Sequence, residues 1–468
     1  MNLRARLAIR IAKLTSKLIK KLNRGSGVTL PGLVARIICP NILSIMASQV
    51  SSKIIATMGT NGKTTTNALM SHILSDSGYK VIINRTGANM LNGIVSAFVL
   101  STNDKCLIDA DYACLEVDEI AGATVIPMLQ PHIILLTNIT RDQLDRLGEV
   151  DAVYKKIISA CQSSPDSLLV INCDDILSYS LAVESGNAYL TYGIDEEIFD
   201  YVSRLEGEEN IFCQHCNARV YYEFFHYGHL GMYACSGCDI KRPRPNFTAS
   251  DVYLKNETYS FAIKCIYETG SDESSIDNTV YTYFPVNTLA RTTYNIYNTL
   301  SAVAAISALE AHLPNIKTSI ETFDFGNNRE DIFQVGNTRV QLHLAKNPIG
   351  FQQKVSLILK DEYPKDIIIL INDTYQDGED VSWLWDVDFQ HLARANASSL
   401  ITAGTRRYDV NLRRKYEDIE SVSTDDVKET ILNLVENGTN NIYMIINYSS
   451  LYSLNSFLKK LSEESQGQ

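Results

Sequence analysis

Apolar residues recur at two different periods along this chain, and the change from one to the other divides it. In residues 1–24, Leu3, Leu7, Ile11, Leu14, Leu18 and Leu22 stand three or four apart, which places them on one face of a helix. Gly25-Ser-Gly27 ends that helix, and Leu30-Pro-Gly32 opens another short segment. From 51 to about 200 the pattern becomes short apolar runs separated by helical stretches. Lys53 to Met58, Val81 to Asn84, Ala113 to Val117, Ile133 to Thr137 and Ser167 to Ile171 read as buried strands, with helices at Asn67 to Ser75 and Val150 to Gln162. That rhythm predicts an α/β fold with a mostly parallel sheet covered on both faces. Phe247 to Cys265 alternates weakly and returns to a sheet, and Asp272 to Asn278 is a polar turn. Beyond 331 the α/β rhythm repeats, with strands at Val335 to His343, Asp366 to Asn372, Leu400 to Ala403 and Ile442 to Ile446. The predicted organisation is an N-terminal segment over 1–50, a parallel-sheet domain over 51–330 interrupted at about 205–248, and a smaller Rossmann-like α/β domain over 331–468.

A length of 468 residues allows about two to four domains. With 45% hydrophobic and 21% charged residues, the chain reads as folded and soluble. A net charge of −12 argues against bulk attraction to nucleic acid. No apolar run approaches the roughly 20 residues needed to span a bilayer, and no cleavable signal is visible. Residues 1–24 carry eight Lys or Arg and no acid. Such a helix either lies on an anionic membrane surface or packs its apolar stripe on the domain behind it, and the two are compatible. Ten cysteines, four of them in two CxxC pairs, suit a reducing cytoplasm better than a disulfide framework.

Chemistry concentrates at the end of the first strand. Gly59-Thr-Asn-Gly-Lys-Thr64 follows an apolar run and precedes a helix, the order that builds a phosphate cradle. Backbone N–H groups and the helix N-terminus face the anion, Lys63 adds charge, and a Thr hydroxyl can hold Mg²⁺. The general motif wants a glycine at position 57, where Thr57 stands. From Gly59 onward the spacing resembles the ATP loop of the Mur ligase family. Two other strand ends carry polar groups: Glu116, beginning Glu-Val-Asp-Glu119 and suited to a Mg²⁺ near the phosphates, and Asn138.

Between 200 and 250 the rhythm breaks. Cys213-Gln-His-Cys216 and Cys235-Ser-Gly-Cys238 form C-x₂-C-x₁₈-C-x₂-C, and two such knuckles complete a closed tetrahedral thiolate site suited to Zn²⁺. His215, His226 and His229 are surplus to four thiolates and read as structural. Lys241-Arg-Pro-Arg244 follows, but in an acidic chain so short a basic cluster reads as part of a structural insertion, not a nucleic-acid contact. After the strand at 366–372, both tryptophans and the carboxylates of Asp373, Asp377, Glu379 and Asp380 crowd one loop. A carboxylate there can orient a His and stabilise its cation.

Further motifs extend the family resemblance. Asn138, Asp142-Gln-Leu-Asp145 and Gly148 are similar to a Mur ligase motif with Gln143 in place of its His. Tyr294-Asn-Ile-Tyr-Asn-Thr-Leu-Ser-Ala302, with Asn298, resembles that family's nucleotide-contacting helix, and Asn327-Asn-Arg-Glu330, with Arg329, resembles its Gly-Arg-x-Glu turn. At Leu344-Ala-Lys-Asn-Pro348 the Asp and His that serve amino-acid binding in Mur ligases are missing. These departures, the four-Cys insertion, Ala345-Lys-Asn-Pro348 and Asp377-Gly-x-Asp-x-Ser-Trp383 resemble the MurT subfamily over nearly the whole chain.

That resemblance implies a Mur-ligase-like ATPase domain with an inserted zinc ribbon. It implies ATP on Gly59, Thr60, Asn61, Gly62, Lys63, Thr64, Thr65, Asn138, Asn298 and Arg329, with Mg²⁺ on Thr64 and Glu116. The implied reaction is amidation of the D-glutamate α-carboxylate of lipid II to D-isoglutamine through an acyl phosphate. Ammonia would come from a GatD-like glutaminase subunit, whose Cys-His pair Asp380 would complete in a heterodimer. A stand-alone Mur or folylpolyglutamate-type ligase is the alternative, and an ATP-controlled scaffold or nucleic-acid protein the third reading. Ammonia incorporation only with a partner separates the first two, and salt-dependent nucleic-acid binding without ATP turnover marks the third.

Overall fold

A computed structural model describes residues 2–21, 28–84, 88–140, 150–198, 212–256, 258–268, 279–325, 330–375 and 377–466. Its strands are β1 (Ile54–Met58), β2 (Val81–Ile83), β3 (Tyr112–Glu116), β4 (Ile133–Leu136), β5 (Leu168–Asn172), β6 (Tyr189–Ile194), β7 (Val220–Tyr227), β8 (Leu230–Cys235), β9 (Phe247–Lys255), β10 (Thr258–Glu268), β11 (Thr279–Asn287), β12 (Glu330–Val335), β13 (Thr338–Leu344), β14 (Lys365–Leu370), β15 (Ala397–Ala403), β16 (Val422–Ser423) and β17 (Asn441–Ile446).

The larger sheet has the order β11-β10-β9-β6-β5-β4-β1-β3-β2. Its strands from β2 across to β9 run parallel, while β10 is antiparallel to both β9 and β11. Successive side chains of a strand point to opposite faces, so each apolar run feeds two cores. Ile54, Ala56 and Met58 pack with Val95, Phe98 and Ile126 on one face. Ile55 joins Leu69, Ile73, Ile296 and Leu300 on the other. Helices Leu91–Leu100 and Glu119–Leu129 therefore cover one side, and Lys63–Asp76 and Thr293–Ser307 the other.

The smaller sheet has the order β12-β13-β17-β14-β15-β16. Its strands are parallel except β12, which is antiparallel to β13. The single strand expected at Val335 to His343 is instead the second half of a hairpin. Gly336 adopts φ +57, so the chain reverses between the paired residues Val335 and Thr338. Phe247 to Cys265 returns to the larger sheet as expected, within β9 and β10, and the polar turn at 272–278 lies outside the described residues.

The N-terminal helix Leu3–Lys21 forms, but it does not pack its leucine stripe. Ala5, Ala8, Ile9 and Ala12 are buried, whereas Leu3, Leu7, Ile11, Leu14 and Leu18 are exposed. The helix lies against Leu30–Ile38 and Leu91–Leu100, and small side chains let the backbones approach more closely than leucines would. Leu22 lies outside the described residues.

Candidate functional site

The sheet order builds the site. β3 and β4 flank β1, so the carboxyl ends of these three strands bring Glu116, Asn138 and the glycine loop together, where ligands of open α/β sheets bind. Within the loop, Gly59 and Gly62 adopt φ +115 and +90, conformations that cost little only without a Cβ. Space is short as well. A Cβ on Gly62 would lie 2.3 Å from Asn298 Oδ1, and one on Gly59 would lie 2.5 Å from Thr137 Oγ1. Gly62→Ala therefore combines left-handed strain of about 1–3 kcal/mol with a clash. Affinity for a nucleoside triphosphate is expected to fall about tenfold or more, measured by titration calorimetry, with the thermal midpoint as the folding control.

Asn138 clamps the loop from the β4 side. Its carbonyl accepts Thr60 N–H at 2.7 Å, its Oδ1 accepts Asn61 N–H at 3.1 Å, and its Nδ2 donates to Asn61 O at 3.2 Å. Thr60 Oγ1 accepts from Thr140 N at 2.9 Å. The helix Lys63–Asp76 starts at the motif lysine, four residues before the helix read from the pattern. Lys63 is buried, and its ammonium donates to Glu119 Oε1 at 2.7 Å and to the carbonyls of Gly59 and Thr60. Thr64 Oγ1 donates to Glu116 Oε2 at 2.7 Å. Asn89 donates to the other oxygen of Glu116 at 3.1 Å, and Asn84 pairs with the Glu116 backbone in both directions. The hydroxyl and carboxylate expected to share a cation are thus adjacent and oriented, as an oxygen site for Mg²⁺ needs. Thr65 is buried in the first turn. Asn298 meets Thr66 Oγ1 at 3.3 Å from the helix Thr293–Ser307. Arg329 and the stretch Arg141 to Gly148 lie outside the described residues.

Several participants were not legible as such. Asn347 donates from Nδ2 to Asn61 Oδ1 at 3.0 Å, joining the second sheet's unit to the glycine loop. Its Oδ1 also caps the helix Pro348–Leu359 by accepting Gly350 N–H. An Asn immediately before Pro at a helix start is a capping signal, so its place was readable although its contact was not. The pattern places Glu119 and Asn84 at strand ends without these partners, and Asn89 carries no sequence signal beyond polarity.

The four thiols converge. Cys213 Sγ lies 3.7 Å from Cys238 Sγ and Cys216 Sγ 3.4 Å from Cys235 Sγ, and all four lie within 4.8 Å of one another. The β7–β8 hairpin, whose two ends bring the CxxC turns together, is tied to the sheet by buried polar groups. Arg242 Nε donates to Asp174 at 2.6 Å, and Tyr297 Oη donates to the same carboxylate at 2.6 Å. His229 meets Asp175 at 2.8 Å, and Asp175 in turn accepts Ile139 N–H, beside Asn138. Burial opposes the charge of Arg242, but Asp174 and Asp195 outweigh it and raise its pKa. His226 is fully buried beside Tyr297, and His215 is exposed.

Asp380 stands apart, in the loop beyond β14. Its Oδ1 accepts Ser382 N–H at 2.7 Å, and it lines a cavity of about 270 Å³ with Glu379, Ser382, Trp385, Arg406 and Asp409. Glu116 and Asp380, both expected to serve catalysis, therefore sit on different sheets. Trp385, Tyr408, Leu412 and Tyr416 are exposed around this loop. The neighbouring Asp377 is buried and spent on Thr374 and Ser449. Outside the four-thiol cluster the cysteines are all buried. Burial pushes the Cys114 and Cys161 thiols up to about 12, so neither supplies a thiolate near neutral pH.

Known proteins share both sequence and fold with this chain. Residues 58–228 match the Mur ligase middle domain and residues 344–451 the MurT ligase C-terminal family. The chain is 31% identical over 462 residues to the lipid II isoglutaminyl synthase (glutamine-hydrolyzing) subunit MurT of Streptococcus pneumoniae, covering 98% of each chain. It is 30% identical over 463 residues to the Staphylococcus aureus subunit of the same name, again covering 98% of each. By fold it is similar to a pseudomurein peptide ligase type C from Methanothermus fervidus, with TM-score 0.65, 22% identity and coverage of 89% of this chain and 80% of that one. It is also similar to MurF from Acinetobacter baumannii, with TM-score 0.63, 16% identity and coverage of 92% and 81%.

Proposed function

Because this chain belongs to the MurT family of lipid II isoglutaminyl synthase subunits, we propose that it is the ATP-dependent ligase half of a two-subunit amidation. The substrate is the D-glutamate α-carboxylate in the stem peptide of lipid II. That carboxylate attacks the γ-phosphorus of ATP and ADP leaves, giving an acyl phosphate. Ammonia adds to the acyl carbon, phosphate departs, and the product is D-isoglutamine. The carrying observation is the cradle beyond the first strand, in which Lys63 meets Glu119 and the neighbouring Thr64 meets Glu116.

Gly59, Thr60, Asn61, Gly62 and Thr65 present the loop backbone to the nucleotide, Asn138 and Asn298 hold that loop in shape, and Arg329 joins them by resemblance. Lys63 offsets charge on the transferred phosphoryl group. Thr64 and Glu116 would hold Mg²⁺, which when bound neutralises the phosphates. The ATPase unit spans 51–330, and 331–468 form the unit that meets a GatD-like glutaminase in the cytoplasm. Asp380 is proposed to complete that partner's Cys-His pair, and the exposed Trp385, Tyr408 and Tyr416 suit the interface. The buried thiols of this chain are consistent with a nucleophile supplied in trans.

The test is ATP hydrolysis and product analysis with lipid II and glutamine, with and without the co-purified glutaminase. Amidated lipid II only with the partner is expected. Incorporation of an amino acid instead of ammonia would overturn the reading.

We also propose that the four-thiol cluster holds a structural Zn²⁺, since its donor set is closed and all-sulfur. Purified protein is expected to carry one zinc per chain. A strong chelator should lower the thermal midpoint by several degrees, because binding energy at such sites is folding energy. Metal-free protein with an unchanged midpoint would sink the assignment.

A further inference from the structure

The N-terminal helix carries two apolar faces, and the protein uses only one of them. At about 3.6 residues per turn, Leu3, Leu7, Ile11, Leu14 and Leu18 fall within about 80° of arc. All five are solvent-exposed, Leu3 to 84%. The opposite face, Ala5, Ala8, Ile9 and Ala12, is the one packed on the protein. Lys13 lies towards that inner side and donates to the carbonyls of Thr102 and Asn103, which fixes the helix's rotation. Arg4 donates to the carbonyl of Ile38 and ties the helix start to the end of the neighbouring helix. That second helix, Leu30–Ile38, also leaves Leu30, Leu33 and Ile37 exposed, Ile37 to 70%.

Charge identifies what covers this surface. Arg6, Arg10, Lys17 and Lys21 are exposed on the flank of the leucine stripe, and residues 1–24 contain no acid, within a chain of net charge −12. An apolar stripe with a basic flank suits an interface that is apolar below and negative above. A protein partner would need an acidic rim around an apolar floor, whereas a bilayer of anionic lipid offers both everywhere. No helix of the described residues is long and apolar enough to cross a membrane, so the contact is peripheral.

We infer that this face seats the enzyme on an anionic lipid bilayer, with the leucines in the headgroup boundary and the basic residues on lipid phosphates. The inference rests on the proposed lipid-linked substrate for its purpose but not for its evidence. Seating fixes the enzyme at the surface that presents lipid II, so the search for substrate becomes two-dimensional.

The test is co-sedimentation of the full chain, co-purified with its glutaminase, with vesicles of phosphatidylglycerol and phosphatidylcholine or of phosphatidylcholine alone. Binding to the anionic vesicles, weakened by added salt, is expected. The double variant Leu7→Glu/Leu14→Glu should bind roughly tenfold or more weakly, with unchanged melting because both side chains are exposed. Its amidation of vesicle-borne lipid II should fall, while its turnover of a water-soluble stem-peptide analogue stays at the parent level. Equal binding of parent and variant, no vesicle binding by the parent, or a parent dimer that the variant converts to monomer would each overturn the inference. Loss of activity on the soluble analogue by the parent itself would strike the proposed reaction and leave the membrane contact standing.

Discussion

Lys63→Ala is expected to lower the kcat of lipid II-dependent ATP turnover by about 10²–10³-fold, the loss typical of removing one preorganised charge or donor from a transition state. The structure supplies both the reason and the control. The Lys63 ammonium is buried and anchored by Glu119 Oε1 at 2.7 Å and by two loop carbonyls, so it is ordered before any ligand arrives. Removing it also strands the Glu119 carboxylate, which is only 3% exposed, and an orphaned buried charge is itself destabilising. The double variant Lys63→Ala/Glu119→Gln separates the two effects. If the lysine acts on phosphate, the double variant regains thermal stability and stays inactive. If the single variant fails only because of the stranded carboxylate, the double variant regains turnover and the assigned role is wrong. Steady-state kinetics with a melting curve for each variant decides between them.

Asp380→Asn is the second large effect. Its Oδ1 accepts Ser382 N–H at 2.7 Å, and an asparagine oxygen can keep that bond, so the loop should survive while the charge goes. If Asp380 orients and stabilises the partner's catalytic His, glutamine hydrolysis by the complex should drop on the order of 10³–10⁴-fold, as when the Asp of a Ser-His-Asp triad becomes Asn. Amidation supplied with ammonium salt should persist, because the proposed ATP cradle lies on the other sheet. Unchanged glutaminase turnover would remove the triad role. Loss of both activities with a dissociated complex would show a docking residue instead. Asp409 and Glu379 line the same cavity, so Asp409→Asn is the matched control and should leave hydrolysis near the parent rate.

How much of this was legible follows from how far apart the interacting residues are. The glycine loop and each CxxC turn are made within a few residues, so spacing alone locates them. The parallel α/β class follows as well, because buried parallel strands must be apolar on both faces and leave unbroken runs. The hairpin at β12–β13 was missed because its reversal depends on one glycine between two weakly patterned stretches.

Tertiary structure decided the rest. Thr64 and Glu116 become partners only because β3 is laid beside β1, and Asn61 meets Asn347, 286 residues away, only because the second unit folds against the first. Period alone locates the apolar stripe of a helix but not the face that packs. For Leu3–Lys21 the alanine face went inward, since close backbone approach favours small side chains, and the leucines were left outside. Spacing determined that this chain has a glycine loop between a strand and a helix, two CxxC pairs and an amphipathic N-terminus. Long-range strand order and helix packing decided what the loop's threonine touches and which way the leucines point, because neither is encoded by any local period.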